Sequence, residues 1–131
     1  MAEDGDARAE WSVEYLPPEH AVRTSASGQM TLVLVKQKAV DSFETAADHG
    51  TGKLLVDSRE VQPRLSTMEI YKLPAVLKPL GLTGHVKVAL VYSPGTLSAR
   101  DFEFFETVAV NQGYNVRLFT TVEDAKHWLR E

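Results

Sequence analysis

Four polar residues, Asp57, Arg59, Arg64 and Ser93, are the candidates for binding an anionic ligand. Asp57 ends a predicted buried strand over residues 53–57, and Ser93 follows the next predicted strand. In open α/β sheets, ligands bind beyond the carboxyl ends of parallel strands. A guanidinium group pairs with a phosphate or carboxylate through two parallel hydrogen bonds. Arg59 and Arg64 are therefore the expected ligands of an anion at this edge of the sheet.

Asp57 and Arg59 also have a structural interpretation. Residues two apart on a strand face the same side of the sheet, so their side chains can form an ion pair. The Asp57 carboxylate can also accept backbone N–H bonds and so fix the loop predicted over residues 58–65. We expect one of these structural roles rather than catalysis.

Ser66 and Thr67 stand at the start of a predicted helix, where free backbone N–H groups attract anions. The segment 66–69, Ser-Thr-Met-Glu, is also a capping-box pattern. In such a box, the side chains of Ser66 and Glu69 each bond the backbone N–H of the other residue. We expect Ser66 to act as the cap of this helix.

Alternating strands and helices have to position these residues. Apolar spacing, helix breakers and caps predict strands over residues 11–16, 21–26, 53–57, 85–92 and 115–119, and a loop over residues 58–65. They predict helices over residues 31–48 and 66–80, and two further helices that Ser98 and Thr121 cap. Pro74 is expected to kink or divide the helix over residues 66–80. Parallel neighbours need crossover helices. The order therefore predicts an α/β fold with a mixed, mainly parallel sheet, an N-terminal hairpin and four helices.

The composition excludes several classes of protein and site. The 131 residues carry a net charge of −4 and contain no cysteine. This charge argues against a nucleic-acid binder, and the lack of cysteine rules out disulfides and thiolate metal sites. The four histidines are scattered without ligand spacing, so we expect no metal and no cofactor. No apolar run approaches the ~20 residues of a membrane span and no signal peptide is recognisable, so we expect a cytoplasmic protein.

Residues 1–10 are acidic, with four carboxylates against one arginine. Such a segment has little apolar surface to bury. We therefore expect a mobile acidic tail over residues 1–10 and a single domain over residues 11–131.

Several sequence blocks between about residue 20 and the C-terminus occur in a specific order. They are 53–59 (KLLVDSR), 67–71 (TMEIY), 86–91 (VKVALV), 104–109 (FFETVA), 115–119 (NVRLF) and 123–129 (EDAKHWL). This order resembles the STAS-like (SpoIIAA-like) group of small bacterial proteins, often labelled STAS/SEC14-type. The resemblance implies a STAS-like α/β fold, frequent homodimers and no established catalytic activity.

The resemblance gives Ser66 and Thr67 a second interpretation, as phospho-switch candidates. Ser66 and Thr67 resemble a site in anti-sigma factor antagonists. Those proteins carry a phosphorylatable serine at the corresponding helix start. A phosphate there adds about −1.5 to −2 charge and changes the choice of partner. This chain departs from that pattern, because Met68 and Glu69 follow where those proteins have small residues. Glu69 would repel a phosphate.

Aromatic residues on the predicted helices allow an apolar groove, as in SEC14-like lipid carriers. Leu73, Phe105 and Trp128 would then line a closed cavity of about 300 Å³ or more. The same helical spacing is typical of an ordinary core. Phe104 lies off the inward face of its helix, so we expect Phe104, with Tyr71, to form an exposed interaction surface.

Two functions follow from these observations. The first is a non-catalytic regulatory or protein-interaction domain, acting as a homodimer or with a regulatory protein partner. The alternative is a small carrier of an apolar or anionic ligand. An enzyme ranks third, since no catalytic motif occurs in its required context.

Overall fold

A five-stranded mixed sheet forms the centre of the computed structural model, which describes residues 8–131. The strands lie in chain order, with β1 antiparallel to β2 and every later pair parallel. The predicted fold class is confirmed. The elements are β1 (Glu10–Leu16), β2 (Ala21–Met30), α1 (Leu32–Asp48), β3 (Lys53–Pro63), α2 (Thr67–Leu77), β4 (Lys87–Val91), α3 (Ala99–Asn111), β5 (Asn115–Phe119) and α4 (Val122–Arg130).

The helices are divided between the two faces of the sheet. On one face, Trp128 of α4 packs in a cluster with Leu55 and other strand residues. On the other face, α1, α2 and α3 pack together around a cluster that includes Leu73 and Phe105. Trp128 is therefore separated from Leu73 and Phe105 by the sheet. The groove predicted from these three residues together is wrong.

The third strand is longer than the sequence predicted. Residues 58–63 were expected to form a loop, but β3 continues through them to Pro63 and pairs with an equally extended β2. β4 ends at Val91, opposite Asp57, so the β2–β3 pair projects beyond its neighbours. A bulge interrupts the pairing where Ser25 and Ser27 of β2 face Asp57 and Glu60 of β3.

The helix ends follow the predicted caps in part. The Ser66 and Thr121 hydroxyls each accept a backbone N–H bond at the start of their helices, as predicted. Ser98 makes no such bond, so the side-chain cap predicted there is wrong. Pro74 lies inside α2 without ending it; the helix continues beyond it and tightens into a 3-10 turn, Lys78–Leu80.

The last two residues of the predicted N-terminal tail, Ala9 and Glu10, are folded. β1 begins at Glu10, and Ala9 packs against a core cluster around Met30. Both residues therefore belong to the folded part of the chain. Residues 1–7, on which the rest of this prediction falls, lie outside the described residues. Within residues 8–131, no helix combines the length and apolar character that crossing a membrane requires.

Candidate functional site

Asp57 lies at the centre of a charged cluster at the carboxyl end of the parallel strands. Arg59 donates to both carboxylate oxygens, from Nε to Oδ1 at 2.9 Å and from a terminal nitrogen to Oδ2 at 2.8 Å. Arg23 of β2 donates to Oδ2 at 3.2 Å. The backbone N–H of Arg59 adds a bond to Oδ1 at 3.3 Å. The ion pair expected for Asp57 and Arg59 is therefore present, whereas the backbone bond lies within a continuing strand and not in the predicted loop.

The electrostatics of this cluster favour the charged form of Asp57. The hydrogen bonds from Arg59 hold the pKa of Asp57 below its ordinary value, against the opposing effect of burial. The same pairing raises the pKa of Arg59. Since Asp57 already occupies the two-nitrogen edge of Arg59, that edge is not available to an external anion. The sequence argument missed Arg23, which comes close only because Ser25, its near neighbour on β2, pairs with Asp57.

Of the remaining two anion-binding candidates, Ser93 lies near the Asp57 cluster and Arg64 lies far from it. The Ser93 hydroxyl contacts the carbonyl oxygen of Arg59 at 3.5 Å, so Ser93 lies beside the cluster. Arg64 follows the end of β3, and its backbone N–H bonds the carbonyl of Met30. At the rise of an extended strand, seven residues place Arg64 about 20 Å from Asp57. The predicted pairing of Arg59 with Arg64 around one anion is therefore wrong.

Ser66 and Glu69 form the predicted capping box at the start of α2. The Ser66 hydroxyl oxygen accepts the Glu69 N–H at 3.1 Å, and the Ser66 N–H donates to the Glu69 carboxylate at 2.8 Å. The side chains of Ser66 and Thr67 are exposed. The capping role is confirmed, and the phosphorylation of either residue stays a prediction.

Replacing Ser66 with alanine is expected to lower the free energy of unfolding by about 1 kcal/mol, because the Glu69 N–H loses its partner. Thr67→Ala is the matched control, since the adjacent hydroxyl is exposed and is not the cap. Urea denaturation of both variants measures the difference. Equal stabilities for the two variants would show that the box contributes nothing.

An apolar cavity lies between the sheet and helices α1, α2 and α3; we call it the α1–α3 cavity. Its volume is about 140 Å³, and it is partly open to solvent. Leu73 and Phe105 line it as predicted, but Trp128 does not, and the volume is half of what was expected for a lipid carrier. The wall is mostly aliphatic and aromatic and includes Met30, Val35, Leu54, Val56, Leu77, Leu82, Val88, Leu90 and Phe102.

Besides Ser42, whose hydroxyl is hydrogen-bonded to that of Thr24, three polar groups interrupt this apolar wall. Ser58 is 2% exposed, and its buried hydroxyl has no hydrogen-bond partner among the described residues. Lys38 of α1 also lines the cavity, and burial lowers the pKa of its amine to about 8. Asp101 of α3 is the third. No carboxylate of residues 8–131 lies within ion-pair distance of Lys38. Neither Lys38 nor Ser58 is among the site residues predicted from the sequence.

The predicted interaction surface is partly present. Tyr71 is 54% exposed, as expected, whereas Phe104 is only partly exposed, so its place in an interaction surface stays a prediction. Met68, which the sequence argument did not select, is 58% exposed on the same helix as Tyr71. Within the described part of the chain, no three His, Asp or Glu residues are placed to hold a metal ion.

Comparisons with protein-family models and with curated proteins find no match. An anti-sigma factor antagonist from Mycobacterium paratuberculosis superposes with a TM-score of 0.63 at 16% identity, covering 97% of this chain and 98% of that one. An uncharacterized protein with a SpoIIAA-like fold from Shewanella loihica PV-4 superposes with a TM-score of 0.55 at 20% identity, covering 92% of this chain and 93% of that one. The resemblance noted from the sequence is thus confirmed at the level of architecture: this chain has the SpoIIAA-like fold.

Proposed function

We propose that this chain is a non-catalytic regulatory module that binds a partner protein through the start of α2. The supporting observation is the pair of exposed apolar side chains, Met68 and Tyr71. Three residues apart on a helix, they share one face. They follow directly on the exposed hydroxyls of Ser66 and Thr67. The two apolar side chains offer contact area to a partner protein. A phosphate on a neighbouring hydroxyl would add negative charge and could change the affinity for that partner.

The likeness in fold to an anti-sigma factor antagonist supports this proposal. The capping box favours Thr67 over Ser66 as the modified residue. A phosphate on Ser66 would replace the hydroxyl that caps the helix and would repel the Glu69 carboxylate, which the box holds nearby. Thr67 carries no part of the box, so its modification would leave the cap in place.

Residues 11–131 would act as one STAS-like domain in this proposal. The homodimer predicted from the resemblance is the alternative occupant of the same surface. Phe104 is half-buried and offers little area for it. Met68 and Tyr71 therefore remain the apolar surface on which a second copy would have to pack.

A photo-reactive amino acid at position 71 tests the surface directly. Irradiation in the native host is expected to give one discrete adduct, which mass spectrometry identifies. The control is the same amino acid at position 33 on α1, where Val33 is equally exposed. Met68→Lys should remove the adduct. The identified protein is then titrated, purified, against the wild-type chain and Met68→Lys, and we expect at least tenfold weaker binding of the variant.

Each outcome of this cross-linking experiment is decisive. An adduct of another protein, specific to position 71 and sensitive to Met68→Lys, supports the regulatory module. An adduct at twice the mass of the chain identifies the homodimer and rejects the separate partner. The same adducts from positions 71 and 33, or none, would reject the surface.

A second function, that of a small-ligand carrier, is favoured by one specific observation. The α1–α3 cavity contains the buried Ser58 hydroxyl, which has no hydrogen-bond partner among the described residues, in a wall that is mostly apolar and that Lys38 also lines. Buried polar groups in folded proteins are normally hydrogen-bonded. A ligand that supplies the missing partners would therefore be stabilised there.

A further inference from the structure

The polar groups in the wall of the α1–α3 cavity define the chemistry of a matching ligand. The Lys38 amine is a donor of up to three hydrogen bonds, and the Ser58 hydroxyl can donate one. At neutral pH Lys38 is positively charged in most molecules, since its pKa is about 8. Lys38 has no ion-pair partner among the described residues, and its partial burial disfavours the charge. The complementary group is a small anion with acceptor oxygens.

The rest of the wall requires the ligand to be apolar beyond that anionic group. Leucine, valine, methionine and phenylalanine side chains make up most of the lining. They contribute binding energy only by excluding water from hydrocarbon. Inorganic phosphate or sulfate would leave this wall unused and would lose its own hydration. A hydrocarbon chain or ring that ends in a carboxylate meets both requirements.

We propose that the α1–α3 cavity binds a small apolar monocarboxylic acid. Its carboxylate accepts hydrogen bonds from the Lys38 ammonium and the Ser58 hydroxyl, and its hydrocarbon part contacts the apolar wall. This inference rests on the carrier function and specifies its ligand class. A cavity of about 150 Å³ holds one benzene molecule, so the 140 Å³ here fits an acid of about six carbons.

Asp101 is the competing group for Lys38. Among the residues that line the cavity, it is the only other ionisable side chain. It is not paired with Lys38, since no ion pair joins them. A bound carboxylate would supply Lys38 with the negative charge that Asp101 does not provide. Removing the Asp101 charge should therefore leave acid binding intact or strengthen it.

Titration of the whole chain with hexanoate and 1-hexanol, followed by NMR chemical shifts, tests the proposal. We expect hexanoate to bind more tightly than the neutral alcohol. Lys38→Met keeps the length of the side chain but removes its charge, and it should weaken hexanoate binding at least tenfold while 1-hexanol still binds. Lys36→Met is the matched control, since Lys36 is an exposed lysine on the same helix. Asp101→Asn should not weaken hexanoate binding.

The pH dependence gives a second readout that a change in packing would not produce. Ordinary carboxylic acids stay ionised above pH 6, so in the pair formed by the ligand and Lys38 it is Lys38 that changes charge as the pH rises through about 8. From pH 7 to pH 9, its charged fraction falls about tenfold. Hexanoate affinity should fall by the same factor, and 1-hexanol affinity should not change.

The outcomes separate this inference from the carrier function on which it rests. Hexanoate binding that depends on Lys38 and on pH supports both. Equal binding of hexanoate and 1-hexanol, unchanged by Lys38→Met, would overturn the acid assignment and leave a carrier of neutral apolar ligands. Binding of neither compound would reject the carrier function itself.

Discussion

Replacing Gly81 with alanine is expected to lower the free energy of unfolding by about 2–6 kcal/mol. Gly81 follows the 3-10 turn after α2 and has a φ of 138°, a conformation that residues with a side chain rarely adopt. That backbone strain costs about 1–3 kcal/mol. An added Cβ would also lie 2.6 Å from Cγ of Phe43. Displacing this partly buried ring costs a further ~1–3 kcal/mol.

Gly50→Ala separates the two causes in this prediction. Gly50 also has a positive φ, 64°, but no atom lies within 4 Å of the position that its Cβ would take. This variant should therefore lose only the backbone term, about 1–2 kcal/mol. Urea denaturation of both variants gives the comparison. If Gly81→Ala were no less stable than Gly50→Ala, the contact with Phe43 would not constrain the turn.

Local signals explain why so much of this fold could be predicted from the sequence. Short-range hydrogen bonds determine where a helix begins, so the caps at Ser66 and Thr121 could be predicted from the sequence. Strand β4 is a mostly apolar run, and β5 begins with alternating polar and apolar residues shortly after Gly113. In each case the residues that carry the signal lie within a few positions of the element that they define.

The long β2–β3 pair could not be predicted in the same way. In β3, Val61 is buried between exposed Glu60 and Gln62, which is the alternation of a strand. The bulge near Asp57 shifts that alternation out of phase with residues 53–57, and Pro63 suggests a loop. The pairing that makes this segment a strand comes from β2, more than 30 residues earlier. This partner is not visible from the local sequence.

The misplacement of Trp128 has a topological cause. In a sheet whose strands follow chain order, right-handed crossovers put α1, α2 and α3 on the same face. The last helix, α4, follows the last strand and connects no further pair, so it is free to cover the opposite face. Right-handed crossovers are general to parallel strands, but the sequence does not reveal the strand order. Without that order, Trp128 could not be separated from Leu73 and Phe105.

The polar groups in the cavity wall, Lys38 and Ser58, could not be predicted from the sequence either. Lys38 stands beside Ala39 at one edge of the apolar face of α1, where a lysine is ordinarily solvated. Only the packing of α2 and α3 against the same sheet face turns that edge into a cavity wall. Ser58 lies within the bulge of β3, between Asp57 and Glu60, and its burial likewise depends on the packed helices.

Replacing Asp57 with asparagine is expected to destabilise the fold in a pH-dependent way. At pH 7 the variant loses the charge that holds Arg23 and Arg59, and the free energy of unfolding should fall by about 1–3 kcal/mol. The figure lies toward the lower end because the arginine side chains are partly exposed and water screens them. Urea denaturation between pH 3 and pH 7 measures the difference.

The direction of the pH dependence follows from the lowered pKa of Asp57 in the folded chain. Such a group contributes its full stabilisation above its ordinary pKa of 3.8 and loses it as the pH falls further toward the folded value. The gap between wild type and Asp57→Asn should therefore be constant from pH 5 to 7 and shrink below pH 3.8. Glu44→Gln, which removes an exposed carboxylate on α1, is the control and should change stability by less than about 0.5 kcal/mol. A gap that persists unchanged at pH 3 would mean that Asp57 stabilises the fold through its shape rather than its charge.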